Sequence, residues 1–208
     1  MTNKLGYLKE TASQTAGPYV HIGLIPDQAG FDIFENNFGV AIAGPRTQGE
    51  RIRIHGRVLD GTGTPLRDAL IETWQANAAG RYNHPADKQD KPLDPDFRGW
   101  GRVGSNFETG IYQIETIKPG IVLGRSGQPM APHISFWIVA RGINIGLNTR
   151  MYFSDEVEAN AKDPVLRLIE LEQRRKTLIA EPETKSGVTL YHFDIVLQGE
   201  NETVFFDV

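Results

Sequence analysis

One histidine stands at the start of a stretch that is typical of a buried strand. Residues 132–142 read PHISFWIVARG, and His133 is one of only five histidines in the chain. Because successive side chains of a strand point to opposite faces, a His-x-His pattern would place two imidazoles side by side, ready to bind a metal. Here the second position is Ser135. His133 is therefore part of a metal site completed elsewhere, the remainder of a lost site, or an ordinary core histidine, and the pattern alone favours the last.

The other candidate groups lie in a long polar segment. Tyr82 and His84 stand two residues apart in GRYNHP, but a loop has no fixed period that would place both side chains on one side. Asp94 and Asp96 in LDPDF are typical of turns rather than of paired catalytic carboxylates. The chain has no cysteine, which excludes thiolate ligands and nucleophiles. Any metal chemistry must therefore use His, Tyr, Asp or Glu.

Length and charge limit the classes of protein that fit. A chain of 208 residues is long enough for one domain with a full core. The net charge is −4 and no dense Lys/Arg run occurs, so the electrostatic signature of a nucleic-acid binder is missing. The N-terminus has no apolar leader, and the longest apolar run is far short of a membrane span. We expect a soluble cytoplasmic protein with small-molecule or protein partners, and no nucleic acid or membrane.

Strands must position these groups. Segments rich in Val, Ile, Phe, Tyr and Thr recur between clusters of Gly, Pro, Asn and Asp, a pattern typical of an all-β sandwich or barrel. Residues 51–59, RIRIHGRVL, alternate most cleanly between apolar and polar positions. The predicted strands are 51–59, 69–77, 110–118, 133–141, 149–153, 189–199 and 203–208, the last as an edge or closing strand.

A single stretch predicts a helix. In residues 163–180, Asp163 can cap an N-terminus, Pro164 fits the first helical position, and apolar residues recur at three-to-four spacing. Two long segments, 1–49 and 78–101, carry few signals for either element. Irregular segments of that length inside a compact domain are usually functional or lie against a partner.

Six ordered blocks resemble the ferric intradiol ring-cleavage dioxygenases. The blocks are SQTAGPYVHIGL, DALIETWQANAAGRYNHP, LDPDFRGWGR, TIKPG, APHISF and YHFDIVLQGENETVFFDV. They run in order from about Thr11 to the C-terminus, which is far more specific than any one block. The resemblance implies an intradiol-dioxygenase-like β-sandwich with short helical insertions, as one structural domain. Within it, residues 1–49 would form an N-terminal arm packing on a partner chain, and residues 50–208 the sandwich.

The resemblance also identifies which metal ligands are present. In the catalytic chains of that family, Fe(III) is held by two tyrosinates and two histidines. The tyrosines follow Gly-Arg and lie two residues after Lys-Pro-Gly, and the histidines form His-x-His. The matching positions here are Tyr82, Val122, His133 and Ser135. Valine offers a hard cation no donor, so the resemblance implies a vestigial site with no metal and no catalytic residue in this chain.

The working site would then lie in another chain. The resemblance implies αβ units that assemble further, in which a homologous β chain binds Fe(III). The complex would cleave protocatechuate with O2 to 3-carboxy-cis,cis-muconate in the β-ketoadipate pathway of aromatic catabolism. This chain would shape the substrate pocket and bind the substrate carboxylate through Thr15, Gly17, Pro18, Tyr19 and Arg141. Pro18 and Gly17 suit a rigid turn that approaches a ligand closely, and a guanidinium matches a carboxylate.

Three alternatives remain open at this stage. A self-sufficient metalloenzyme would need His84 and Asp87 to join Tyr82 and His133 around a metal. A non-enzymatic, transthyretin-like β-sandwich binding module would explain the strands but not the six blocks. Arg141 could also serve as an inter-subunit salt bridge rather than as a substrate contact.

Overall fold

Strands dominate the chain. In a computed structural model, residues 14–35, 37–124, 126–185 and 187–207 are described. The strands are β1 (Arg51–Leu59), β2 (Leu70–Gln75), β3 (Trp100–Gly104), β4 (Ile111–Ile117), β5 (Val122–Leu123), β6 (Pro129–Met130), β7 (His133–Val139), β8 (Leu147–Phe153), β9 (Ile179–Lys185), β10 (Val188–His192) and β11 (Ile195–Val196). The helices are α1 (Tyr19–Leu24), α2 (Val157–Lys162) and α3 (Glu172–Lys176), with one 3₁₀ turn, Leu166–Leu168.

The strands form a sheet that folds over on itself. One half contains β1 paired with β4 and β10, and the other contains β3, β2, β7 and β8 in that order. Strand β9 joins the halves, because it runs antiparallel to β10 and parallel to β8. Strands β5 and β6 form a separate hairpin. The all-β sandwich predicted from the sequence is confirmed.

The core lies between the two halves. Strand β1 alternates between buried and more exposed positions, with Ile52, Ile54 and Val58 buried. These side chains belong to the same apolar cluster as Ile71 and Phe136 from the opposite half. Each half therefore buries one face and leaves the other available for a site.

The helix predicted over 163–180 is wrong in extent. Asp163 accepts hydrogen bonds from the amides of Val165 and Leu166, at 2.8 Å each, as a cap would. A 3₁₀ turn follows, the backbone is extended again at Ile169, and a separate short helix, α3, begins at Glu172. Leu166 and Leu178 both enter a second apolar cluster. Packing of these two leucines thus overrides the local helical pattern.

Two strands of the main sheet escaped prediction for reasons visible in their residues. Strand β9 contains Pro182, which is uncommon inside a sheet. Strand β3 contains Gly101, where a Cβ would lie 2.3 Å from the side chain of Ile42. Glycine is rare in strands, but here it makes room for a core residue of the N-terminal segment.

The predicted C-terminal strand, 203–208, is also wrong. Among residues 203–207, pairing with the sheet consists of one isolated bridge, between Phe206 and Asn148, and Val208 lies outside the described residues. The predicted strand 189–199 divides into β10 and β11. The division falls where the carbonyl of Phe193 approaches Gly56 too closely for a Cβ.

Within the described residues 14–35 and 37–49, the N-terminal segment is irregular apart from α1, as predicted. Its residues 1–13 and 36 lie outside the described part of the chain. Ile25 and Ile42 are buried against the sandwich. Several large apolar side chains remain exposed: Phe31, Ile33, Phe34, Phe38 and Val40. No helix in the described ranges is long and apolar enough to cross a bilayer.

Candidate functional site

The strand residues of the predicted vestigial site share the outer face of one half of the sheet. In the antiparallel pairing, Trp74 lies opposite Ser135, and Ser135 lies opposite Arg150. Two residues earlier on β7, His133 lies opposite Tyr152. Since alternate residues of a strand share a face, these side chains form two adjacent rows on it.

The loop after β2 brings Tyr82 onto this face. The side chain of Asn77 accepts a hydrogen bond from the amide of Arg81 and donates one to the carbonyl of Pro92, both at 2.9 Å. Gly80 has a φ of 78°, and a Cβ there would lie 1.9 Å from the carbonyl oxygen of Ile121. This close approach needs glycine. It fixes the loop beside the Lys-Pro-Gly segment.

Tyr82 and His133 meet as the resemblance implied. The Tyr82 ring stacks on Trp74 with ring centroids 5.8 Å apart. Its hydroxyl lies 3.4 Å from Nε2 of His133. Nδ1 of His133 lies 2.7 Å from the carbonyl oxygen of Ala131, and a carbonyl only accepts, so Nδ1 must carry the proton. Nε2 is then the acceptor, which is the arrangement that a metal-ligating histidine also adopts.

Both groups are neutral near pH 7. Burial, followed by the nearby Arg150 charge, lowers the pKa of His133 to about 4. Burial also raises the pKa of Tyr82 above its ordinary value of 10.0. A neutral phenol donating to a neutral imidazole is the pairing that these two shifts favour.

The full donor set does not fit ferric iron. Val122 lies in β5 with 1% of its surface exposed and pairs with Met130. It brings only carbon to the site. Ser135 is half-buried on the face with His133, and its short side chain replaces an imidazole. One tyrosinate and one imidazole of the expected four ligands are therefore missing.

The candidates for extra ligands are occupied elsewhere. Nδ1 of His84 accepts a hydrogen bond from the amide of Ala86 at 3.1 Å. Asp87 accepts from the amides of Tyr82 and Gln89 at 2.8 and 2.9 Å. Within the described ranges, no group of three or more His, Asp or Glu side chains is arranged to hold a metal. The geometry gives a self-sufficient metalloenzyme no support.

A second candidate region lies at the other end of β7. Arg141 follows that strand, and eight residues at about 3.3 Å each put it roughly 26 Å along the chain from His133. A cavity of about 380 Å³ is lined there by Gly17, Pro18, Asp68 and Arg141, among others. Three of the five predicted substrate-binding residues, Gly17, Pro18 and Arg141, therefore meet in one cavity.

Hydrogen bonds hold the arm against this end of the strand. The amide of Gly142 donates to Oγ1 of Thr15 at 2.8 Å. Arg141 Nε donates to Asp68 at 2.6 Å, so the ion pair observed for Arg141 lies within the chain. Its side chain is still 74% exposed. Tyr19 does not line the cavity and is 83% exposed.

Two polar residues that line this cavity were not predicted. Asp68, in the turn before β2, orients Arg141. His21 of α1 is buried against Phe107 and also lines the cavity. Its Nε2 is buried with no hydrogen-bond partner in the described structure, and burial lowers its pKa. His21 lies six residues after Thr15 in the block SQTAGPYVHIGL, and that position is the signal that could have identified it.

Comparison with known proteins identifies the family. Residues 39–199 match the model of the family described as Dioxygenase. The dioxygenase domain of a carbohydrate-binding fusion protein from Streptomyces sp. SirexAA-E has the same fold. Its TM-score is 0.56 at 21% identity, over 79% of this chain and 88% of that one. The chain belongs to the intradiol ring-cleavage dioxygenase family, and the transthyretin-like alternative is set aside.

Within the family, two curated relatives narrow the comparison. The chain is 50% identical to the protocatechuate 3,4-dioxygenase alpha chain of Pseudomonas putida, over 96% of this chain and 97% of that one. It is 44% identical to the protocatechuate 3,4-dioxygenase beta chain of Burkholderia cepacia, over 74% of this chain and 67% of that one. The likeness to the alpha chain thus spans nearly the whole length of both.

Proposed function

We propose that this chain is the alpha subunit of a protocatechuate 3,4-dioxygenase and acts with a homologous, iron-bearing beta chain. The complex cleaves protocatechuate with O2 to 3-carboxy-cis,cis-muconate, in the β-ketoadipate pathway. The observation that carries the proposal is the combination of full-length likeness to an alpha chain with a site that keeps Tyr82 and His133 but has Val122 and Ser135 at the other two ligand positions.

The division of labour follows from the two regions. Fe(III) in the beta chain supplies the Lewis acid and redox chemistry of ring cleavage. The residues of this chain recognise the substrate and exclude water from one side of its pocket. Arg141 is held by Asp68 through Nε, and its terminal nitrogens make no hydrogen bond to described residues, so they are available for the substrate carboxylate. Thr15 and Gly17 bring polar backbone close to the same place.

The arm supports a heteromeric assembly. We infer that residues 1–49 pack on the beta chain, because the described part of this segment exposes seven large hydrophobic side chains. Burying such surface is the main favourable term in protein association. Further association of αβ units and a cytoplasmic location remain part of the proposal.

Co-expression with an iron-bearing beta chain tests this function. The two chains should co-purify, take up O2 with protocatechuate, and hold iron only in the beta chain. This chain purified alone should be colourless and inactive, because its donor set cannot hold ferric iron. The proposal would be refuted if this chain folded stably but did not associate with the beta chain. It would also be refuted if this chain cleaved the ring without the beta chain.

A further inference from the structure

The vestigial face holds one fixed positive charge. Arg150 of β8 lies directly across from Ser135 in the strand pairing and is half-buried. Burial is the larger influence on the pKa of both Tyr82 and His133, and the charge of Arg150 is the next for each. The guanidinium is therefore close to the two donors that remain of the ligand set.

No carboxylate within the described ranges forms an ion pair with this arginine. Its Nη1 lies 3.5 Å from the hydroxyl of Tyr152 and 3.6 Å from the sulfur of Met130. Its guanidinium carbon lies 5.9 Å from the ring of Phe206. These contacts position the side chain without neutralising it.

The two acids that act on His133 and Tyr82 accept hydrogen bonds from backbone amides. Asp163 is fully buried and accepts hydrogen bonds from Ala131, Val165 and Leu166, at 2.8 Å each. Asp87 accepts from the amides of Tyr82 and Gln89. Hydrogen bonds do not cancel the charge of a carboxylate, but Arg150 acts more strongly on Tyr82 than Asp87 does, and more strongly on His133 than Asp163 does.

We propose that the Arg150 guanidinium takes the place of the metal on this face and excludes a metal ion. The loss of two ligands and the presence of this charge would then both prevent iron from binding to this chain. Arginine cannot be deprotonated in a protein. A trivalent ion beside it would face a permanent like charge where solvent screens poorly. The inference concerns this chain alone and does not depend on the proposed function.

The proposal predicts that restoring ligands is not sufficient. A variant with Val122→Tyr and Ser135→His would supply the missing tyrosine and imidazole. It should still bind little ferric iron while Arg150 is present. Adding Arg150→Gln, which keeps a polar side chain but removes the charge, should raise iron affinity at least about a hundredfold. Iron content and the tyrosinate-to-iron absorption band measure the result without any assay of activity.

Two controls test whether the effect comes from the charge at position 150. One distinguishes that charge from the shape of the side chain, and the other distinguishes it from the overall charge of the chain. Arg150→Lys added to the restored ligand set keeps the positive charge and should bind as little iron as the set alone. Arg53→Gln removes an equal charge from an exposed ion pair with Glu115 on the other half of the sheet. It should leave iron binding unchanged.

A milder pair of variants covers the case in which Tyr at the tightly packed position 122 prevents folding. Ser135→His alone and Ser135→His with Arg150→Gln can each be titrated with Zn²⁺ by calorimetry, since the added imidazole would lie on the same face as His133. Zinc should bind the second variant at least about tenfold more tightly than the first. Full metal loading with Arg150 present, or equal weak binding with and without it in folded variants, would overturn the proposal.

Discussion

Strand β7 begins at His133 and ends just before Arg141, and the polar groups at its two ends are partnered differently. At the first end, His133 bonds Ala131 and meets Tyr82 beneath loops of its own chain. At the second end, Arg141 is largely exposed and Nε2 of His21 is buried without a partner. The hydrogen-bonding groups of His133 and Tyr82 are satisfied within the chain, as in a structural core, whereas those of Arg141 and His21 remain available, as in a binding site.

This difference makes a general prediction for substitutions. Changes at the His133 end should alter stability and leave substrate turnover in the complex unchanged. Changes at the Arg141 end should alter turnover and leave stability nearly unchanged. Each of the following variants tests whether stability and turnover depend on different ends of β7.

The largest expected effect is on stability at the His133 end. His133 has its pKa lowered from 6.5 to about 4 in the folded chain, so the unfolded state binds more protons between those pH values. Above pH 6.5 the residue contributes no pH dependence. As the pH falls from 6.5 to 4, it lowers the free energy of unfolding, by on the order of 3 kcal/mol in total.

Urea unfolding of the wild type and of His133→Asn at pH 7 and pH 4 measures this contribution. Other titrating groups affect both proteins, so the difference between their pH dependences isolates His133. The wild type should lose more stability on acidification than the variant. Equal losses would mean that His133 is not held neutral, and that this end is more open to solvent than its 3% exposure indicates.

Arg141→Ala should give the largest effect on turnover. A carboxylate entering a partly desolvated pocket needs a donor to replace its water. A charge-assisted hydrogen bond contributes about 1.5 to 3 kcal/mol, so kcat/KM for protocatechuate in the complex should fall roughly ten- to a hundredfold. Catechol, which lacks the carboxylate, serves as the matched substrate and should be barely affected.

Two further measurements sharpen that result. Iron content should be unchanged, and Arg141→Lys should rescue only in part because it keeps the charge but loses the planar fork. Equal losses for the two substrates would mean that Arg141 maintains the shape of the pocket or the interface. Loss of iron would place its role at the partner's metal site.

His21→Leu should separate binding from stability at the same end. The unpartnered Nε2 of His21 is costly to bury, so an apolar side chain should preserve stability or raise it by up to about 1 kcal/mol. If Nε2 serves the substrate, KM for protocatechuate should rise about fivefold with kcat little changed. Thermal unfolding and steady-state kinetics on one preparation test both. A less stable variant with unchanged KM would assign His21 to packing.

The contrast between the ends also explains what could be predicted from the sequence. Strand β1 was predicted with its observed bounds because its alternation is local. The meeting of Tyr82 with His133, 51 residues apart, came from the family motifs. Arg150 was missed although its strand was predicted, because the register that sets it across from Ser135 depends on the sheet. The helix over 163–180 failed because burial of Leu166 and Leu178 is likewise decided by tertiary packing.

The smallest expected effect comes from Tyr82→Phe, and it tests the comparison most directly. The residue stands at a ligand position of the family, yet its hydroxyl lies 3.4 Å from His133, near the limit for a hydrogen bond. Removing it should cost no more than about 1 kcal/mol of unfolding free energy and should leave kcat/KM of the complex unchanged. Tyr112→Phe is the matched control, since that hydroxyl is fully buried and donates to the carbonyl of Phe193; it should cost at least as much stability, about 1 to 2 kcal/mol. A loss of turnover in Tyr82→Phe, with iron still bound to the beta chain, would show that the vestigial end still takes part in the reaction and would break the separation between the two ends of β7.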